Sequence, residues 1–363
     1  MKEEFNYPLW LHGLDGIGNR KIYGLLEQFE NAKNIYHANE KELLRVKEIT
    51  NRDKETILYR RNPDEMLKKQ KELEEKAIRF ISIENDDFPY KLRMLSDAPY
   101  GIYVKGKLPG NDERVIAMVG ARMCTPYGKS IAEELAYALG ECGISVISGM
   151  ARGIDAYSHK GCLNAEGVTY AVLAGGNDVI YPPEHRELYH EILKKGGIFS
   201  EYPPGTEPLK GMFPLRNRLI SAFSDGVILV EAKERSGSLI TADFALEQGK
   251  DIFVVPGRIG DPLSAGCNGY IKQGADIIES IPKFIRQLGI DNYQEKDGKK
   301  AKKVFLEKEE SIVYSCLRLT PCSVQELITE TKLDLSTVIR SINRLEEKGL
   351  AEEYYKNYYI RST

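Results

Sequence analysis

Apolar residues cluster in the central half of the chain as short runs: VIAMVG, ISVISG, TYAVLAGG, GIFSEYP, GVILVEA and DIFVVPG. Helical patterns follow three of them, YGKSIAEELAYALGECG, GIDAYSHKGCLNAEG and SLITADFALEQG. Short β-branched runs that alternate with helices and often end in glycine predict a parallel sheet covered on both faces. Residues 111–290 therefore read as an α/β, doubly wound core, whose ligands bind beyond the carboxyl ends of the strands. Ahead of it, residues 81–110 are extended and rich in turn residues, yet apolar positions recur through them, so they lead into the core.

The flanks carry different periods. Residues 1–80 read as short helices. Within them LHGLDGIGNRKIYGLLEQF places the turn Gly16-Ile17-Gly18 between two apolar-periodic stretches, like a helix-hairpin-helix. A looser copy follows in ELLRVKEITNRDKETIL. Such a turn can present helix N-terminal amides to a DNA phosphate, although a glycine turn between helices commonly has no other role. Residues 291–303 form a polar, charged linker. Residues 304–363 show three helical patterns and a closing polar–aromatic alternation, LAEEYYKNYYI, the outline of a winged helix.

Composition narrows the function. The chain has 363 residues and a formal net charge of −3, so any nucleic-acid surface is local. No apolar run is long enough for a membrane span and no leader pattern opens the chain, which predicts a cytoplasmic protein. The six cysteines form no CxxC pair, so neither zinc nor a disulfide framework is expected. His159 and Cys162 fall on one helical face, too little for a metal site.

The strand ends carry the candidate chemistry. GARMCTPYGKS contains Gly128-Lys129-Ser130, but a P-loop needs glycine where Met123 stands. The dinucleotide fingerprint fails as well, because Arg122 occupies the place of its second glycine. What is left is a tight turn at Gly120 with Arg122 at its tip. SGMARGIDAYSHKG adds Arg152 and Asp155, and ERSGSLITA adds Ser236, Gly237 and Ser238 at a helix start. Three such ends on one sheet edge predict an anion-binding shelf. The stretch GMFPLRNRLISAFSDGVILVEA borders it with Lys210, Phe213, Arg216, Asn217 and Arg218. A cationic groove with an aromatic ring suits single-stranded nucleic acid. One of the two arginines is expected to brace the sheet against Asp155, Glu201 or Glu231 and the other to face ligand.

The motifs VGAR…YG, SGMARGIDAYSH, LAGGNDVIYPPEH, SEYPPGTEP…FPLRNRLIS, VEAKERSGSLITA and VPGRIGDPLSAGCNGYIKQGA occur in the order seen in the DprA (Smf) DNA-processing proteins. The resemblance covers roughly residues 85–280. It implies an extended Rossmann-like core that dimerises, an N-terminal helical SAM-like domain, and a C-terminal winged helix. It further implies a recombination mediator of natural transformation that binds and protects incoming single-stranded DNA and loads RecA. The family uses no nucleotide hydrolysis and no cofactor. Its DNA pocket has an arginine in the first glycine turn, matching Arg122, and a lysine and an aromatic matching Lys210 and Phe213. Two positions depart from the family pattern. His185 stands where asparagine is frequent, so Tyr181–His185 receive no role, and Ala222-Phe223 replaces glycine–leucine.

Two rivals belong to other classes. Nucleotide 5'-monophosphate phosphoribohydrolase-like enzymes share a similar fold, and Asp243 would be the nearest carboxylate to the SGSLITAD turn. A winged-helix transcription factor would need a cationic duplex-binding face. Residues 304–363 instead hold ten acids against eight bases, which suits a protein contact or a regulatory role better, even with Arg340 and Arg344 on the third helix.

Overall fold

The computed structural model describes residues 5–293, 306–318 and 321–361. They form two compact units, divided after Tyr293. Most of the proposed linker, residues 294–303, lies outside the described residues.

The first unit is built on a nine-stranded sheet. Its strands are β1 (Ile78–Ser82), β2 (Gly101–Gly106), β3 (Val115–Val119), β4 (Ser145–Ser148), β5 (Thr169–Val172), β6 (Gly197–Ser200), β7 (Gly226–Leu229), β8 (Asp251–Val254) and β9 (Asp276–Ile277). They run in the order β1-β2-β6-β5-β4-β3-β7-β8-β9. From β6 to β9 every pairing is parallel. The chain winds outward from β3 through β4, β5 and β6, then returns to the other side of β3 as β7 and winds on to β9. This is the doubly wound, Rossmann-like topology, and its order reverses between β3 and β7.

Both faces are covered, which explains the unbroken apolar runs. In β3, Val115, Ala117 and Val119 pack with Leu219, Ile220 and Phe223 on one face. Ile116 and Met118 pack with Leu135, Leu139 and Ile154 on the other. All five strand residues are buried because neighbouring positions point to opposite, equally dry layers.

The sheet differs from the expected all-parallel one at its edge. β2 pairs antiparallel to β6, and β1 antiparallel to β2. The segment read as a lead-in thus supplies β2 and the end of β1, and the sheet begins at Ile78, inside the segment read as helical. Six short helices precede it, from Tyr7–His12 to Pro63–Glu75. Their core includes Trp10, Leu25, Ile35 and Ile57 and continues into Ile78, Tyr100 and Tyr103 of the sheet region. The helices are therefore packed onto the sheet edge within one unit.

The second unit has helices Lys308–Cys316, Val324–Thr331 and Leu335–Glu347. A three-stranded sheet completes it: β10 (Cys322–Ser323), β11 (Ala351–Tyr355) and β12 (Tyr358–Arg361), in the order β10-β12-β11. Three helices and a two-stranded wing make this a winged helix. Among the described residues of the whole chain, no helix is long and apolar enough to cross a membrane.

A cationic cleft at the sheet's switch point

The crossover that returns the chain to β7 is a helix, Met212–Phe223, which the sequence reading did not mark. It lies beside helix Gly237–Glu247, which follows β7. Between these helices and the turn after β3 opens a cleft of about 720 Å³. Its position at the carboxyl ends of β3 and β7 is where the reversal of strand order leaves a crevice.

Of the residues singled out from sequence, the cleft gathers Gly120, Arg122, Phe213, Arg216, Asn217, Ser236, Gly237 and Ser238. Arg122 is exposed and lies over the Phe213 ring, with its Cζ 5.0 Å from the ring centroid. The guanidinium and the ring thereby form one composite surface, charged on one side and aromatic on the other. Ser236 caps the 237–247 helix, and Gly237 beside it is exposed with open space around it.

Two of the three strand ends expected to offer free amides are closed by the protein's own carboxylates. At helix Pro126–Glu141 the Glu231 carboxylate accepts from the Thr125 amide (2.8 Å) and hydroxyl (2.5 Å), while Thr125 Oγ1 caps Gly128 (3.0 Å). A side chain at Gly128 would meet that carboxylate at 2.4 Å, so the Gly-Lys-Ser sequence reflects internal packing. At the end of β4 the buried Asp155 carboxylate accepts from the Ala151 amide (3.3 Å). Burial pushes the Asp155 carboxyl up, and the Arg216 charge opposes that push. Acids at helix starts complement the helix dipole and occupy the place of an external anion. The third end, at Ser236–Ser238, faces the cleft.

The arginine–asparagine–arginine triplet is held from within. Arg218 is turned away from the cleft and donates to both oxygens of Glu201 (2.8 and 2.6 Å) and to the Asp97 carbonyl (2.8 Å). Its Nε is also 3.3 Å from the Asp97 carboxylate. Arg216 lies in the cleft wall but donates to the carbonyls of Gly149 (2.9 Å) and Val172, at the ends of β4 and β5. A Cβ on Gly149 would sit 2.4 Å from the Arg216 nitrogens, so only glycine leaves room for that guanidinium. Burial lowers the Arg216 pKa to about 10, which still leaves it charged at neutral pH. The Asn217 amide donates to the Gly237 carbonyl (3.2 Å), tying the two cleft helices together. Neither arginine is the simple ligand-facing partner anticipated: one is a brace, and the other is a cleft-wall cation bound to the sheet.

Arg152 and Lys210 fall outside the residues lining the cleft. Arg152 pairs with Glu184 at the surface, and Lys210 is exposed just ahead of the 212–223 helix. Conversely, Lys233 and Arg235 line the cleft although sequence reasoning passed over them. The signal was available, since both fall between a core strand and its helix, at the end where ligands gather. With them the lining has four cationic side chains (Arg122, Arg216, Lys233 and Arg235) against two carboxylates (Asp155 and Asp261), a balance that favours an anion. Asp243 is exposed, takes a hydrogen bond from Tyr270, and is not among the cleft residues.

At the helix-hairpin-helix turn Gly16 and Gly18 are exposed and Ile17 is buried, while the residue that follows is held from within. Asn19, first in helix Asn19–Phe29, donates to Glu201 (2.7 Å) and accepts from the Tyr100 amide (3.1 Å). The same carboxylate that braces Arg218 thus holds the start of this helix. In the winged helix Arg344 is engaged by Glu307 (2.6 Å), with the buried Glu310 beside it, while Arg340 is exposed.

The fold and cleft define an extended Rossmann-like α/β protein with a cationic, aromatic-lined crevice at its switch point. The chain belongs to the DNA recombination-mediator protein A family, whose match spans residues 79–289. It is similar to DNA processing protein DprA of Bacillus subtilis (strain 168), 41% identical over 221 residues, 61% of this chain and 74% of that protein. Protein Smf of Synechocystis is 29% identical over 373 residues, covering 93% of this chain and 94% of the relative. The X-ray structure of DNA processing protein A from Streptococcus pneumoniae superposes with a TM-score of 0.67 at 32% identity, over 79% of this chain and 99% of that one. A Helicobacter pylori DNA processing protein A structure, described for its unique single-stranded DNA binding mode, gives 0.52 at 33% identity, over 58% of this chain and 95% of that one.

Proposed function

We propose that the protein is a recombination mediator, not an enzyme, and that it binds single-stranded DNA across the switch-point cleft. The observation that carries this reading is the Arg122–Phe213 pair beside the exposed Lys233 and Arg235. A ring that a base can stack on, among cations that track phosphates, binds single strands with little regard to sequence. Family membership and the Helicobacter pylori relative's single-stranded DNA binding support the same conclusion. In this reading Arg122, Lys210, Lys233 and Arg235 meet phosphates, Ser236–Ser238 offer a hydroxyl-rich turn, and Arg216 sets the potential of the wall. The protein acts in the cytoplasm as a homodimer, protects incoming strands during natural transformation and passes them to RecA. The acidic winged helix serves a protein contact or regulation.

The hydrolase alternative loses its carboxylate, because Asp243 is not in the cleft. The cleft's own acids are a buried Asp155 engaged with a main-chain amide and Asp261. The test compares single-stranded and duplex oligonucleotides across a salt series, with nucleoside monophosphate and ATP as hydrolysis controls. Single strands are expected to bind in preference, with affinity falling by ~0.7 log units per log unit of salt for each neutralised phosphate. Equal affinity for blunt duplex, or steady turnover of either nucleotide, overturns the proposal.

A further inference from the structure

The aromatic surface of the cleft does not end at Phe213. Tyr181, in the loop after β5 and outside the residues lining the cleft, has its ring centroid 5.8 Å from that of Phe213, tilted by 56°. It is 45% exposed, a large fraction for a ring that already packs against another. Arg122, Phe213 and Tyr181 are therefore linked by successive contacts, guanidinium to ring to ring, from residues lining the cleft to one outside its lining.

The loop that carries Tyr181 is fastened at several points. The Asp178 carboxylate accepts from Lys76 Nζ (2.6 Å) and from the Gly205 amide (2.7 Å), and the Gly176 amide donates to the Thr206 carbonyl (2.8 Å). The Tyr189 hydroxyl donates to the Asn177 carbonyl (2.7 Å), and His185 Nδ1 lies 3.0 Å from the Met150 carbonyl. Residues 203–206, which take part in two of these bonds, lead into the helix bearing Phe213. The backbone segments that carry the two rings are thus tied together before any ligand arrives. A ring already held in place gives up little conformational entropy on binding, and stacking on it tolerates any base.

We infer that Tyr181 is a second base-stacking platform, which carries a bound single strand out of the cleft past Phe213 and onto the rim. The inference rests on the single-strand reading above. A shorter strand fills the cleft and reaches Phe213, while a longer one also covers Tyr181.

The test uses the full-length protein and an oligothymidylate length series. Tyr181→Ala is expected to weaken binding of the longer oligomers about five- to hundredfold, with the salt slope and melting temperature unchanged. The shortest oligomers that bind should not distinguish it from wild type, and Tyr181→Phe should restore the loss because the ring remains. In parallel, wild-type protein photo-crosslinked to bromodeoxyuridine-substituted strands should yield an adduct on Tyr181, a readout independent of how any variant folds. Wild-type affinity of Tyr181→Ala at every length, or adducts confined to Phe213 and its cleft neighbours, overturns the second platform and leaves single-strand binding intact. Failure of wild type to bind oligothymidylate at any length overturns both.

Discussion

Arg218 and Arg122 carry the same guanidinium within one unit, and their surroundings give it opposite uses. Arg218 is 5% exposed and donates from one nitrogen to both oxygens of a carboxylate, with a carbonyl and a second carboxylate completing its shell. Arg122 is exposed, lies over an aromatic ring and borders an open cleft. A buried, fully partnered guanidinium is committed to the fold, because removing it strands its acid. An exposed one stacked on a ring keeps its in-plane donors free for phosphate. The contrast teaches that arginine count does not measure an anion site. What separates the two cases is whether acceptors of the protein's own surround the group. Arg216 falls between them, in the wall of the cleft but already bonded to two carbonyls.

The strongest challenge to this contrast is Arg218→Ala. It leaves Glu201, with its side chain 14% exposed, without its main partner. Breaking a buried pair by removing one member costs ~3–5 kcal/mol. In a unit of this size that corresponds to a melting-temperature drop on the order of 10 °C. Replacing both members, as Arg218→Met with Glu201→Leu, should recover a large part of the loss. Thermal unfolding of the three proteins decides it, and a melting point unmoved in Arg218→Ala would make the brace a bystander.

Gly149→Ala probes the intermediate case. The added methyl would occupy the space of the Arg216 nitrogens, 2.4 Å away, so the guanidinium or the end of β4 must shift. Overpacking of this kind costs ~1–3 kcal/mol. Because Arg216 also forms cleft wall, single-strand affinity should fall together with stability. A variant that is destabilised yet binds as wild type would assign Arg216 wholly to the fold.

Much of this organisation was legible in the sequence. The core strands were visible because two dry faces make every position apolar, as in Val115–Val119, and the helices Pro126–Glu141, Ile154–Asn164 and Gly237–Glu247 were marked by helix-forming runs after strand-ending turns. Residues Gly120, Arg122 and Phe213 were placed at the cleft by the rule that ligands gather at strand ends. What stayed hidden depended on partners far along the chain. Glu231 closes a helix start 106 residues away, and Lys76 fastens a loop 102 residues away. Nothing local to Thr125 or Asp178 announces either contact. The 212–223 helix was obscured by Pro214 in its first turn and by Arg216, Asn217 and Arg218, polar residues that are buried through long-range bonds. β1 fell at the end of the stretch read as helices and β2 in a turn-rich segment, and β2 joins the sheet by pairing with β6, far beyond any local pattern. Lys233 and Arg235 needed no structure. Their place between the end of β7 and the helix that follows already puts them where ligands gather.

The smallest effects are those that separate charge from stacking on the exposed side of the comparison. Phe213→Ala removes the ring beneath Arg122 and any base laid on it, so single-strand binding should weaken by ~1–3 kcal/mol with its salt slope nearly unchanged. Arg122→Ala, Lys233→Ala and Arg235→Ala each delete one phosphate partner, and each should flatten the slope by ~0.7. Their effect on affinity should shrink as salt rises, whereas that of Phe213→Ala should persist. Melting temperatures should stay near wild type in the three charge variants, since exposed side chains away from caps and cores contribute within ~0.5 kcal/mol. The measurement is binding of one oligothymidylate at several salt concentrations for each variant. If Arg122→Ala lowers affinity equally at every salt, its role is to hold the Phe213 ring rather than to meet phosphate. Arg122 would then join Arg218 among the arginines that the fold keeps for itself.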